Sequence, residues 1–203
     1  MGGLMPHKEI ICADAIDWMQ QNTCGAIVTS PPDAEEIGLP LADWREWFIN
    51  AARLCFKASG GPVVFYVTDR KHGGETWSKP KAIFEASGGA SLAWHKIALR
   101  RDVGAVDIHR PGFSHLLAFN GKPGTATPDT IRRGNVLYPN GTGILAARVA
   151  VEWAMKASDE IVDPFCGQGT IPAVAEALGA KAIGVDIDEA QCEKARACVL
   201  RAR

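Results

Sequence analysis

Two short runs hold most of the residues in this sequence that could do chemistry. Residues 163–170 read Asp-Pro-Phe-Cys-Gly-Gln-Gly-Thr, and residues 29–33 read Thr-Ser-Pro-Pro-Asp. In the first run, Gly167 and Gly169 permit a sharp backbone turn and a close approach to a ligand. The N–H groups that open a following helix then face that ligand. Asp186 stands 23 positions after Asp163, at the end of the next apolar run. A carboxylate there can accept from both hydroxyls of a ribose, as in nucleotide-binding βαβ units. The dinucleotide fingerprint needs a third glycine, and Pro172 occupies that position. Asp163 would repel a pyrophosphate and suits a cationic ligand. The turn therefore points to the sulfonium and amino groups of S-adenosylmethionine, and away from NAD.

The second run suits a different task. The exocyclic amino group of adenine or cytosine is a poor nucleophile, because its lone pair is delocalised into the ring. Acceptors aimed at its two N–H bonds favour the more tetrahedral nitrogen that attack on a methyl sulfonium requires. Ser30 offers a side-chain oxygen and Pro31 a backbone carbonyl. Pro32 biases Pro31 away from the helical region, and each ring fixes its own φ. The result is a rigid pair of acceptors at the end of the apolar run 25–28, where α/β sheets place their ligands.

The elements that must position these runs alternate strand and helix. Strand patterns fall at "EIICA", "GAIVTS", "PVVFYVT", "EIVDPF" and "KAIGVDI". "SLAWHKIAL" and "HLLAFNG" read as strands that can pair antiparallel. Residues 43–57 read as a helix with Trp44, Trp47, Phe48, Ala51 and Cys55 on one face, opened by an Asp43–Glu46 capping box. Further helices are expected within "AIDWMQQ" and "WSKPKAIFEASGG", at about 143–157, in "TIPAVAEALG" and over 188–201. Residues 120–142, rich in Gly, Pro, Thr and Asn, form a long irregular segment. The alternation predicts one domain built on a mostly parallel sheet covered on both faces.

The two runs together resemble the amino-methyltransferases that act on nucleic acids. Their catalytic motif is (D/N/S)-P-P-(Y/F/W), matched by Ser30, Pro31 and Pro32, with Asp33 at the last position; their cofactor motif is close to D-P-F-x-G-x-G-T, here Asp163 to Thr170. The likeness covers nearly the whole chain. The catalytic motif comes first and the cofactor motif last, the permuted order typical of the β group of DNA amino-methyltransferases. The resemblance implies a Rossmann-like, circularly permuted methyltransferase fold over residues 1–203, with six parallel strands and one antiparallel. It implies that S-adenosylmethionine is held by Asp163, Pro164, Phe165, Cys166, Gly167, Gly169, Thr170, Asp186 and Ile187, with Asp14 and Thr29 assisting. It implies a nucleic-acid substrate, DNA ahead of RNA, and it admits a homodimer. Serine in the first motif position favours cytosine N4 over adenine N6.

Two departures stand out. Asp33 replaces the aromatic that stacks on the target base, and Trp44, Trp47, Trp77 and Phe113 are candidate substitutes, the first two more suited to the core. No large recognition region is present. The candidate recognition loops are 100–113 and 120–142, where Arg100, Arg101, Arg110, Lys122, Arg132 and Arg133 exceed Asp102, Asp107 and Asp129 by three charges. Arg100, Arg101, Arg132 and Arg133 are the substrate-binding candidates. The alternatives are an RNA amino-methyltransferase, a methyltransferase of protein side-chain amides, and a non-catalytic subunit that keeps the fold.

The remaining features narrow the class. The net charge of −1 excludes a histone-like binder. His95, His109 and His115 match no metal spacing, so His95 and His115 read as structural. Cys166 sits in the cofactor turn and not in a Pro-Cys pair, which argues against a C5-cytosine nucleophile. Six cysteines without a C-x-x-C pair suit a reducing, cytoplasmic setting. No run is long enough to span a membrane, and the N-terminus lacks the apolar core of a signal peptide.

Overall fold

The run Val63–Val67 is buried at every position, and Ala26–Thr29 likewise. Strands without polar alternation must lie inside a sheet covered on both faces. The computed structural model, which describes residues 7–72, 75–101, 111–122, 127–138 and 141–200, has that arrangement. In chain order its elements are β1 (Lys8–Cys12), α1 (Ala15–Gln21), β2 (Ala26–Thr29), α2 (Ala34–Ile37), α3 (Leu41–Ala58), β3 (Val63–Val67), β4 (Arg70–His72), β5 (Glu75–Trp77) and α4 (Lys79–Ala86). There follow β6 (Leu92–Leu99), β7 (Phe113–Phe119), β8 (Thr130–Arg132), α5 (Ile144–Ala154), β9 (Glu160–Asp163), α6 (Thr170–Ala177), β10 (Lys181–Asp186) and α7 (Glu189–Ala197).

Eight strands form the main sheet in the order β1-β10-β9-β2-β3-β7-β6-β8, and β4 with β5 makes a separate ribbon. Strand β7 runs antiparallel to both of its neighbours, while the other pairings are parallel. The sequence predicts seven strands; the eighth is β8, a parallel edge strand inside the segment 120–142. Its single buried residue, Ile131, is too short a pattern to show a strand period. The candidate loop positions 102–110, 123–126 and 139–140 lie outside the described residues.

Helices α1, α3 and α4 cover one face, enclosing Met19, Trp44, Phe48, Phe65, Ile83 and Phe119. Helices α5 and α6 cover the other, enclosing Val28, Leu116, Val151, Ile161 and Ile171. A smaller cluster of Ile10, Cys166, Cys192 and Ala195 lies beneath α7. Trp44, Phe48, Ala51 and Cys55 of α3 are fully buried, as their spacing predicts. The start of α3 differs from expectation. It begins at Leu41 behind Pro40, without a side-chain cap, because Asp43 already lies inside the helix. The reciprocal contact of a capping box occurs ten residues earlier, where the Glu36 carboxylate accepts from the Asp33 N–H at 2.7 Å.

Strands β2, β9 and β10 are parallel neighbours in the middle of the sheet, so their carboxyl ends open on one rim. The antiparallel β7 brings its amino end, Phe113–His115, to that rim, since His115 pairs with Val67 at the end of β3.

Candidate active site

Both motifs stand on that rim. Val162, just before Asp163, is in register with Ile27 on β2. The Thr29 hydroxyl donates to Asp163 Oδ1 at 2.6 Å, and the Phe165 N–H donates to the same oxygen at 3.1 Å. Both bonds use Oδ1, which leaves Oδ2 for a ligand. Asp163 is 2% exposed. Burial pushes its pKa up to about 7, with Asp186 adding to the rise and the bonds from Thr29 and Phe165 opposing it. A desolvated carboxyl that resists ionisation is a site that a cation would stabilise.

The turn after Asp163 is built as its glycines require. Gly167 has φ +51° and Gly169 +83°. A Cβ on Gly169 would lie 2.8 Å from Ala195 Cα, because α6 begins against α7, whereas a Cβ on Gly167 would meet nothing. Gly167 thus borders open space while Gly169 is packed. Asp186 organises the turn from the next strand: it accepts from the Gly167 N–H at 2.9 Å and from the Asp188 N–H at 2.9 Å. Beyond it, Ile187 is 68% exposed, an apolar side chain at the end of β10. Pro164, Cys166 and Thr170 are buried, and Phe165 is half-buried against Trp47, with ring centroids 5.5 Å apart. Burial raises the Cys166 thiol pKa far above its ordinary value, the opposite of what a thiolate nucleophile needs.

Asp14 stands at the same rim, since Ala13 N–H bonds the Asp186 carbonyl at 2.9 Å. Its Oδ1 caps α1, accepting from Ile16 and Asp17 N–H at 2.7 and 3.1 Å. Thr29 likewise has its hydroxyl committed to Asp163. Thr29 therefore supports the turn, while Asp14 supports α1.

The Ser30–Pro31–Pro32 segment leaves the carboxyl end of β2 at the rim. Ser30 is half-buried. Its hydroxyl and the Pro31 carbonyl take part in no hydrogen bond among the described residues. By contrast, the Pro32 carbonyl accepts from Trp44 Nε1 at 3.0 Å. Asp33 turns to α4, where Lys79 Nζ lies 2.5 Å from its Oδ1. Lys79 is only 3% exposed and was not legible as a site residue. The available signal is a lysine at the first position of a helix, where the dipole disfavours a cation.

Of the four aromatics weighed as replacements for the missing stack, Trp44 is fully buried and Trp77 packs onto Trp44 and Phe48 at 4.9 and 5.3 Å. Trp47 leans on the cofactor turn. Phe113 is 43% exposed and lies at the rim. His115 packs edge-on to Phe113 at 5.1 Å, its Nδ1 is 2.9 Å from His95 Nε2, and its Nε2 is 3.4 Å from Asp69. No metal cluster occurs among the described residues, nor a helix long and apolar enough to cross a membrane.

The arginine candidates divide. Arg100 is half-buried at the rim, donates to Thr68 Oγ1 at 3.3 Å, and lies within the fields of Arg133, Arg101 and Asp33. Burial lowers its pKa below the ordinary guanidinium value, with Tyr66 opposing. Arg132 ends the edge strand β8, exposed to solvent.

This mostly parallel α/β sheet, with a glycine turn and an acidic residue at adjacent strand ends, is a fold of the methyltransferase type. Residues 122–197 match a family model of N6/N4 methyltransferases, described as DNA methylase, so the resemblance seen in the motifs extends to the C-terminal part of the chain. No curated protein sequence matches. Among solved structures, a putative DNA modification methylase from Thermus thermophilus aligns at 19% identity over 94% of both chains with a TM-score of 0.72. The same protein complexed with S-adenosyl-L-methionine aligns at 18% identity over 94% of this chain and 92% of that one, TM-score 0.68. The cytosine-N4-specific PvuII DNA methyltransferase aligns at 15% identity over 93% and 85%, TM-score 0.75. At these identities the structures establish a shared fold.

Proposed function

We propose that this protein transfers a methyl group from S-adenosylmethionine to an exocyclic amino group of a base in DNA, cytosine N4 ahead of adenine N6. The observation that carries the reading is the 2.6 Å bond between Thr29 and Asp163, which ties an uncommitted acceptor pair to a turn suited to a cationic nucleotide. In this reading S-adenosylmethionine supplies the methyl group. Asp163 would face its positive charge, Gly167, Gly169 and Thr170 would admit its amino-acid portion, Asp186 would accept from its ribose, and Ile187 would pack on its adenine. Ser30 Oγ and the Pro31 carbonyl accept the two N–H bonds of the target amino group and draw its nitrogen towards tetrahedral geometry. Arg100, Arg101, Arg132 and Arg133 contact phosphates. The motif order and the strand order β10-β9-β2-β3 support a permuted methyltransferase domain spanning 1–203.

Two rivals rest on Asp33. The missing aromatic, with the small recognition region, suits an accessible RNA target, and the carboxylate in its place suits a subunit that binds nucleic acid without catalysis. Incubation with methyl-labelled S-adenosylmethionine and a mixture of DNA and RNA tests all three. Label in N4-methylcytosine or N6-methyladenine of DNA is the expected result. Label confined to RNA selects the first rival. Cofactor binding by calorimetry without transfer to either polymer selects the second.

A further inference from the structure

The pairing of Asp33 with Lys79 departs from local rules in two ways. Lys79 is the first residue of α4, behind the N-cap Ser78 and before Pro80, where the helix dipole opposes a positive charge. Its side chain is also 4% exposed, whereas that of Asp33 is 37% exposed. A buried ammonium is strongly unfavourable unless paired. What compensates it is on the page: Asp33 Oδ1 at 2.5 Å, and the Trp44 and Phe48 rings, each with its centroid 5.5 Å from Nζ. Trp44 also donates from Nε1 to the Pro32 carbonyl. Asp69 accepts from the Lys79 N–H at 3.0 Å, so the end of α4 is itself anchored.

These contacts converge on one stretch of backbone. Pro32 is held through its carbonyl by Trp44, Asp33 through its N–H by Glu36 at 2.7 Å, and Asp33 through its side chain by Lys79. Immediately before them stand Ser30 and Pro31, whose acceptor atoms make no hydrogen bonds among the described residues. We infer that Lys79 is a positioning residue: through Asp33 it fixes the aim of the Ser30–Pro31 acceptors. In this chain the fourth motif position thus serves to anchor the motif to α4. The inference rests on the methyl-transfer reading above, and its test separates the two.

The variants are Lys79→Met, which fills the space between Trp44 and Phe48 without a charge, Lys79→Arg, Asp33→Asn, and Lys79→Met with Asp33→Asn. With wild-type transfer established, Lys79→Met is expected to lower kcat by about 10²-fold, the scale of a misplaced reacting group. The calorimetric Kd for S-adenosylmethionine should stay within about threefold, as should KM for the nucleic acid. Lys79→Arg should recover part of kcat. In the Asp33→Asn background the added Lys79→Met change should cost little, because the two residues act as one unit. Equal losses of kcat in both backgrounds would overturn the inference, as would a kcat within about twofold of wild type in Lys79→Met. If the wild type transfers no methyl group, the methyl-transfer reading fails, and the anchor is then judged by amide exchange. Lys79→Met should speed exchange at Asp33 and Glu36, whose N–H groups donate to the Glu36 carboxylate and the Asp33 carbonyl, by about tenfold and leave Ile83 in α4 unchanged. Unchanged exchange at Asp33 and Glu36, or equal loosening of Ile83, would overturn it.

Discussion

Thr29 donates its hydroxyl to Asp163 across 2.6 Å, so the residue before the acceptor motif holds the first residue of the glycine turn. The two motifs lie 134 positions apart in the chain and meet because β2 and β9 are parallel neighbours. Thr29→Val keeps the shape and removes the donor. It should cost about 1–3 kcal/mol of stability, the penalty of leaving a buried polar partner unsatisfied. The affinity for S-adenosylmethionine should fall roughly tenfold, because Asp163 would then be harder to ionise. Thermal unfolding and calorimetry would read the two effects separately.

Asp163 gives the protein a pH signature. Its pKa is raised from an ordinary 3.8 to about 7. Between those values the folded chain holds a proton that the unfolded chain has lost. The contribution of this residue to stability is therefore greatest below the lower value, falls as pH rises, and levels off above about 7. A cationic ligand has the opposite preference. Its affinity should rise with pH, by at most about tenfold per unit, up to neutrality and then flatten. Titration across this range should show the slope in the wild type and lose it in Asp163→Asn.

The two glycines of the turn should differ on substitution. Gly167→Ala faces open space and carries only the left-handed backbone cost, roughly 1–2 kcal/mol. Gly169→Ala carries that cost and also drives a methyl into the backbone of Ala195. It should lower the melting temperature further and separate α6 from α7. The order of the two melting temperatures checks this.

Phe113 is the exposed ring at the rim. Phe113→Ala should weaken nucleic-acid binding by about 1–3 kcal/mol, the worth of one stacked base, and leave the Kd for S-adenosylmethionine unchanged. An equal loss of cofactor affinity would place Phe113 in the support of the fold.

The fold was largely legible because its signals are local. The run Val63–Val67 is apolar and opens behind Pro62, the run Ala182–Val185 is apolar and follows the Gly179 that ends a helix, and α3 shows its buried face at helical spacing. The glycine turn was legible for the same reason: close backbone approach needs particular residues in a fixed order. Lys79 escaped because its role depends on Asp33, 46 positions away, and a lone lysine before a proline carries no pattern. The capping contact was placed at Asp43, since Asp33 and Glu36 have the same spacing but open only a four-residue helix. Strand β8 went unseen because three residues cannot display a period.

The reversed direction of β7 has a practical corollary. Strands β6 and β7 meet at the rim, where the Arg100 N–H donates to the Gly112 carbonyl at 2.9 Å and closes the base of the connection. Chain inserted between those two residues leaves and re-enters the sheet next to Phe113 without altering the order of any buried strand. Lengthening such a connection costs only about 0.6 kcal/mol per doubling. The junction is thus a natural port for engineering, where a module from elsewhere can be grafted while the sheet and both motifs stay intact.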